Sequence, residues 1–333
     1  MRIVIPDDYQ QAVRGLSCFS RLAGHSVVVY DDTVRELDAL AERLSEADAL
    51  VLIRERTAIG GPLLARLPRL KLISQTGKGI AHIDLDACTR HGVLVAAGTG
   101  SPYAPAELTW GLILASARRI ALESARLRTG LWQTTLGTTL RGRTLGVWGY
   151  GKIGSLVAGY GRAFEMNVRI WGRAGSLSRA RADGYETFDD VRDLFEQSDV
   201  LSLHLRLCAE TRAVVKAGDL ARMKPDALIV NTSRAELIEP GALVGALRAG
   251  RPGFAAVDVY EEEPVLGASH PLLELDNALC TPHLGYVERD SYELYFGQAF
   301  EQVVAFAEGN PFNVVNPEAR LHEKSRLSYH QEH

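Results

Sequence analysis

The sequence predicts an α/β protein built from two doubly wound parallel sheets. Short apolar, β-branched runs alternate with helical stretches along nearly the whole chain, the pattern of parallel strands covered on both faces. A glycine-rich strand–turn–helix–strand unit stands mid-chain at residues 144–173, so a complete α/β region precedes it. At 333 residues, 46% of them apolar, the chain is long enough to bury two cores of ordinary size.

In the first region, residues 3–5, 27–30, 50–53, 70–74 and 93–96 read as strands, and 34–44, 62–66 and 84–90 as helices. No phosphate-loop signature occurs there, so it is expected to be a partner domain. Gly98–Pro102 punctuates its end. Ser101 is expected to cap one long apolar helix over 103–128, with Pro105 in its first turn. That helix is also an expected dimer surface.

The mid-chain unit opens on Leu145-Gly146-Val147-Trp148 and turns through Gly149-Tyr150-Gly151-Lys152-Ile153-Gly154. An apolar helical face on Ile153, Leu156, Val157 and Phe164 follows, then the run Val168-Arg169-Ile170-Trp171. This is the order and length of a dinucleotide-binding unit. Gly149 permits the tight turn, Gly151 lets backbone approach a pyrophosphate, and Gly154 lets helix and strand pack closely. The helix N-terminus then faces the phosphates with unpaired N–H groups. At the end of the second strand, where a carboxylate would accept from the ribose of NAD, stand Gly172 and Arg173. An arginine there can pair with a 2′-phosphate, so NADP(H) is the expected preference and NAD the alternative.

Downstream, 191–197, 217–223 and 240–249 read as helices, and 200–205, 227–231, 254–259 and 278–281 as strands. An amphipathic helix over 289–308 stops at Gly309-Asn310-Pro311 and is expected to pack back on the first domain. The expected division is therefore 1–97 plus 289–333, and 98–288. The polar tail 320–333 holds three of the nine histidines and reads as a frayed terminus.

The balance of 37 basic and 41 acidic residues, a net charge of −4, gives no electrostatic case for nucleic acid or an anionic membrane. No apolar run approaches a membrane span, and no leader stands out. The four cysteines are scattered without metal spacing and read as buried thiols of a cytoplasmic protein.

Sites in doubly wound sheets form just past the strand ends. Three such segments supply chemistry: Asn231-Thr232-Ser233-Arg234, Asp258-Val259-Tyr260-Glu261-Glu262-Glu263-Pro264 and Thr281-Pro282-His283-Leu284-Gly285. A guanidinium, a carboxylate and an imidazole suit the reduction of a 2-oxo acid. The first holds the substrate carboxylate, the imidazole delivers a proton, and the carboxylate fixes the imidazole tautomer.

These segments, with GYGKIG, SDVLSLHLRLCAET, MKPDALIVNTSR, AAVDVYEEEP and CTPHLGY, give a chain that resembles the D-isomer-specific 2-hydroxyacid dehydrogenases to about Pro317. The resemblance implies a Rossmann nucleotide domain and a flavodoxin-like substrate domain with a cleft between them, a homodimer, and a D-2-hydroxy acid product. It implies Arg234 as the substrate arginine, Glu263 and His283 as the proton-donating dyad, and Asp258 against the nicotinamide carboxamide. The expected cofactor set is the turn from Gly149 to Gly154 with Gly172, Arg173, Thr232, Asp258 and His283. It places the loop 76–80 at the substrate carboxylate, through the amides of Lys78 and Gly79. Ala81-His82 stand where Asp-Asn is usual, and Ala235 where glycine is usual, so no substrate is borrowed from one relative. Lys78 adds charge that would favour a dianionic acid, and it also resembles phosphite dehydrogenase of the same family. A non-catalytic NAD-sensing protein is the binding-module alternative. Formate dehydrogenases carry glutamine where Glu263 stands, and the absence of Tyr-x-x-x-Lys disfavours a short-chain dehydrogenase.

Overall fold

The computed structural model describes residues 1–319; the histidine-bearing tail 320–333 lies outside the described residues. The chain divides into two compact units, Met1–Ser101 with the segment from Glu288 onward, and Pro102–Val287.

The first unit begins β1 (Arg2–Ile5), β2 (Ser26–Val29), α1 (Leu37–Leu44), β3 (Ala49–Leu52), α2 (Gly61–Leu64), β4 (Leu72–Gln75), α3 (Leu85–Arg90) and β5 (Leu94–Ala97). These five strands pair in parallel, in the order β2-β1-β3-β4-β5, the flavodoxin-like arrangement. Short runs such as ALVL in β3 are buried on both faces, as parallel strands between two helix layers must be. The helix expected from residue 34 starts at Leu37 because the Glu36 carboxylate accepts from the Asp38 and Ala39 amides and caps it there.

The second unit runs α4 (Tyr103–Ala117), α5 (Ile120–Arg128), β6 (Thr144–Trp148), α6 (Lys152–Ala163), β7 (Asn167–Trp171), α7 (Ala174–Ala182), β8 (Glu186–Thr187), α8 (Val191–Gln197), β9 (Val200–Leu203), α9 (Ala217–Leu220), β10 (Leu228–Asn231), α10 (Ala242–Arg248), β11 (Phe254–Val257) and β12 (Ala278–Cys280). Its seven parallel strands lie in the order β12-β11-β10-β9-β6-β7-β8. Sequence order reverses at the β6–β9 pair, the switch point at which such sheets bind ligands. Alternate residues feed opposite cores. Leu203, Ile229 and Val257 pack with Phe195 and Leu237, whereas Val147, Val230 and Ala256 pack with Ile113, Val157 and Ile170.

The chain then returns to the first unit as α11 (Arg289–Ala307), capped by the Glu288 carboxylate. The Ser74 hydroxyl of β4 bonds the Ala299 carbonyl (3.0 Å) and Gln302 Oε1 (2.7 Å), which ties α11 to that sheet.

Three expectations need correction. The helix over 103–128 is two helices, broken where Arg119 takes a left-handed backbone (φ 55°) and interrupts the hydrogen-bond ladder. Pro102, not Ser101, occupies its N-cap, and no side chain caps it. The cysteines are not all buried thiols: Cys18 and Cys88 are, Cys280 is half-buried, and Cys208 is exposed in the loop after β9. Helix α7 and strand β8, which the sequence reading left unassigned, follow Arg173 directly.

Candidate active site

The glycine turn joins β6 to α6 beside the switch point. Gly149 has φ +104°, and a Cβ there would collide with the His204 carbonyl at the end of β9. A Cβ on Gly154 would run into the Gly149 carbonyl. Gly151 differs: it caps α6 in extended backbone, and no protein atom lies within 4 Å of the Cβ position. Two glycines therefore make the turn and the third keeps open the space before the helix N-terminus. That is the fit a pyrophosphate requires.

Surrounding residues fix this turn. The Gly149 amide donates to the Trp171 carbonyl (2.8 Å), which brings Gly172 to the Gly149 backbone. Ile153 packs on the core beneath α6, and Lys152 is exposed. The Tyr150 side chain turns away from the open space: its hydroxyl donates to Asp183 (2.7 Å), and Arg179 of α7 donates to its carbonyl (3.0 Å). Any contribution of Tyr150 to a bound nucleotide is through backbone. Arg173 is the exposed N-cap of α7 in extended backbone. Glu210, unnoticed in the sequence, is held below the usual carboxylate range by the Cys208 hydrogen bond and, more weakly, by Arg173. His204, hydrogen-bonded to Ser202 (2.8 Å), is driven by burial to a pKa of about 4 and stays neutral beside the turn.

The catalytic segments follow β10, β11 and β12 of the same sheet. Asn231 shapes the first loop, donating to the Arg234 carbonyl (2.8 Å) and accepting from the Ser233 amide (3.1 Å). The Ser233 hydroxyl anchors that loop to the Leu203 carbonyl, and Thr232 bonds Thr109 of α4 (2.7 Å). Arg234 lies half-buried with one guanidinium nitrogen donating to the Ser233 carbonyl (2.7 Å).

Glu263 and His283 meet: Nδ1 of the imidazole donates to Oε2 of the carboxylate at 2.5 Å. A carboxylate has no proton to give, so Nδ1–H is the donor and Nε2 is the nitrogen left for chemistry. The second carboxylate oxygen accepts from the Tyr260 amide (2.9 Å). His283 adopts a left-handed backbone, φ 51°, a conformation costing a non-glycine residue on the order of 1–3 kcal/mol. Asp258 holds it there. Fully buried, it accepts from the Thr281 hydroxyl (2.6 Å) and the Leu284 and Gly285 amides (2.7 and 2.9 Å), on both sides of the histidine. Burial pushes the Asp258 carboxyl above its usual range, and these hydrogen bonds oppose the shift. Three of a carboxylate's roughly four acceptor sites are used by these bonds. Tyr260 joins the two loops, its hydroxyl donating to the Thr281 carbonyl (3.0 Å). Sequence reading missed Tyr260, Thr281, Asn231 and Ser233 as supports, because each acts through a partner distant in sequence.

In the first unit, Lys78 and Gly79 follow β4. Lys78 is exposed. Gly77 (φ +107°) lies against the Arg54 guanidinium and Gly79 against the Glu55 carboxylate, so these two residues, also missed, flank the loop. Burial lowers the pKa of the His82 imidazole, against the opposing charge of Glu55.

Known proteins are similar to this chain in sequence and fold. Residues 110–285 match the family model described as D-isomer specific 2-hydroxyacid dehydrogenase, NAD binding domain. A glyoxylate reductase of Aeropyrum pernix is 40% identical over 296 residues, covering 84% of this chain and 86% of that one. The chain belongs to the D-isomer-specific 2-hydroxyacid dehydrogenase family. An oxidoreductase of Ralstonia solanacearum superposes with a TM-score of 0.94 at 54% identity, covering 96% of this chain and 98% of that one. The Aquifex aeolicus D-lactate dehydrogenase, solved with NAD and lactic acid, superposes with a TM-score of 0.74 at 29% identity, over 94% and 99% of the two chains. The two parallel sheets are those of this family, and the protein is a nicotinamide-dependent dehydrogenase acting on 2-oxo and 2-hydroxy acids. No described helix is long and apolar enough to cross a membrane.

Proposed function

We propose that this dehydrogenase reduces a small 2-oxo acid to the D-2-hydroxy acid, with Arg234, Glu263 and His283 as its reactive groups. The observation that carries the reading is the Glu263–His283 pair, with Nε2 uncommitted, in the sheet that bears the glycine turn. A nicotinamide cofactor, when bound, supplies the hydride. The open space before α6 receives its pyrophosphate, and Thr232 and Asp258 complete its contacts. Arg234 holds the substrate carboxylate and draws charge toward the carbonyl oxygen. His283 Nε2 gives that oxygen a proton, and Glu263 stabilises the imidazolium before transfer. The Lys78 and Gly79 amides are assigned to the same carboxylate by family resemblance. Oxidation of NADPH and NADH against a panel of 2-oxo acids, including glyoxylate and hydroxypyruvate, tests the reading. Absence of turnover on every member would overturn it.

NADPH is proposed as the preferred reductant, supported by Arg173 at the head of α7 and by the lack of a carboxylate at Gly172 or Arg173. Arg173→Ala should lower kcat/KM for NADPH about tenfold, the worth of one charge-assisted contact of about 1.4 kcal/mol, and leave NADH little changed. Equal losses with both cofactors would count against the assignment.

Lys78→Ala should raise KM for the preferred acid several-fold, most for a dianionic one, while kcat holds; unchanged kinetics would remove Lys78 from substrate binding.

A homodimer is proposed from the apolar surface on α5 and the loop after it, where Leu127, Leu131, Trp132 and Leu136 are 56, 51, 75 and 95% exposed. Light scattering should give twice the 36.4 kDa chain mass, and Leu131→Asp with Leu136→Asp should shift it toward the monomer. A monomeric wild type would sink this part.

A further inference from the structure

Past β11 the chain carries two glutamates two residues apart that each meet an imidazole. Glu263 takes His283, and Glu261 Oε2 lies 3.0 Å from Nε2 of His270. The second pair has no part in the reaction derived above. Its tautomer follows from its other nitrogen. Nδ1 of His270 accepts the Leu272 amide (3.3 Å) and so caps the short 3-10 turn Pro271–Glu274. An accepting Nδ1 carries no proton, so Nε2 does, and Nε2–H donates to Glu261. The same imidazole meets the residue before Glu261: the Tyr260 and His270 rings form a T with centroids 5.0 Å apart. One ring therefore grips two consecutive side chains of the loop. It is itself well anchored. The His270 side chain is 16% exposed against 49% for Glu261, and Leu272 is buried in the core that holds Tyr260. With Asn231 and Glu239 the pair lines a cavity of about 30 Å³, room for about one water and for no organic ligand.

We propose that His270 is a positioning residue for the proton-donating pair: by holding Tyr260 and Glu261 it fixes the backbone amide on which the Glu263 carboxylate rests. The inference rests on the reading of Glu263 and His283 as that pair. The connection is continuous. The Tyr260 amide donates to Glu263 Oε1 (2.9 Å), Glu263 Oε2 accepts from His283 Nδ1, and the Tyr260 hydroxyl donates to the Thr281 carbonyl (3.0 Å), two residues before the histidine. Tyr260 thus reaches both members of the pair, and His270 holds Tyr260 from outside it. A displacement of about 1 Å in a supporting group can cost about 10²-fold in rate, and His270 acts through one intermediary, so about tenfold is the expected effect.

His270→Asn separates positioning from capping. Asparagine is a good N-cap and keeps an acceptor for the Leu272 amide, but it is too short to reach Glu261 and offers no ring to Tyr260. In this variant kcat should fall about tenfold, while KM for the acid and the NADH dissociation constant stay within about twofold. Glu261→Ala should lower kcat in the same way but less, and Glu261→Gln, which keeps an oxygen for Nε2–H, should retain it. Proton NMR gives a readout independent of turnover. The proton held between Nδ1 of His283 and Glu263 at 2.5 Å resonates far downfield of the amides, and it should move upfield in His270→Asn and in Glu261→Ala. An unmoved resonance in both variants, or wild-type kcat in both, would overturn the proposal. So would a joint fall of kcat, NADH affinity and thermal stability, the mark of general loosening. A wild-type chain that reduces no 2-oxo acid would sink the functional reading, while a shifted resonance would still show that His270 governs the Glu263–His283 bond.

Discussion

His283→Ala should lower kcat/KM for 2-oxo acid reduction by roughly 10²–10⁴-fold, the usual worth of a positioned general acid. The reasoning starts from atoms: Nδ1 is committed to Glu263 at 2.5 Å, so removal of the ring deletes the proton at Nε2 and strands a half-buried carboxylate. Cofactor affinity should change little, since the glycine turn and its His204 and Tyr150 supports remain. Glu263→Gln distinguishes acid catalysis from a merely structural role. The amide keeps the shape but gives up the negative charge beside the imidazole, so kcat for reduction should fall while NADH binding and the KM for the acid hold. A variant lacking His283 that turns over near the wild-type rate, or a kcat indifferent to Glu263→Gln, would end the assignment. His283→Ala should also relieve little strain, because the left-handed backbone is imposed by the Asp258 bonds to Leu284 and Gly285 rather than by the ring.

How far the site could be read in advance depended on the range of the interactions that make it. The glycine turn is local: strand, glycines and helix stand within one run of chain, although the carbonyl that excludes a side chain at Gly149 belongs to His204, just past β9. Doubly wound sheets bring successive post-strand loops to one edge, which made a guanidinium, a carboxylate and an imidazole after β10, β11 and β12 legible as a set; the pairing of Glu263 with His283 came from the family resemblance. What holds them was not legible. Tyr260 reaches Thr281, and Ser233 reaches Leu203, through pairings that no local pattern announces. Helix α7 was hidden for a similar reason. Gly175, Ser176 and Ser178 have weak helical preference, and the helix is supported by Arg179 on the Tyr150 carbonyl and by buried Ala180. The break between α4 and α5 rests on Arg119, whose side chain finds Phe254 far along the chain.

The second large effect belongs to Arg234, and it should divide differently between kinetic constants. Arg234→Ala should lower kcat/KM by roughly 10²–10³-fold, the size of loss when one pre-organised donor to a developing oxyanion is removed. In the proposed role, part should appear as a higher KM, because the guanidinium would hold the carboxylate before reaction, and part in kcat, because it would also face the charge growing on the ketone oxygen. Arg234→Lys keeps the charge but loses the planar fork, and the loop fixed by Asn231 and Ser233 has no slack to re-aim a single ammonium. Lysine should therefore recover only a small part of the loss. NADH binding measured by fluorescence should be unchanged in both variants, which separates loss of the substrate contact from collapse of the nucleotide fold. If lysine restores full turnover, the bidentate role is wrong; if alanine retains it, the substrate carboxylate is held elsewhere, and Lys78 with Gly79 becomes the first place to look.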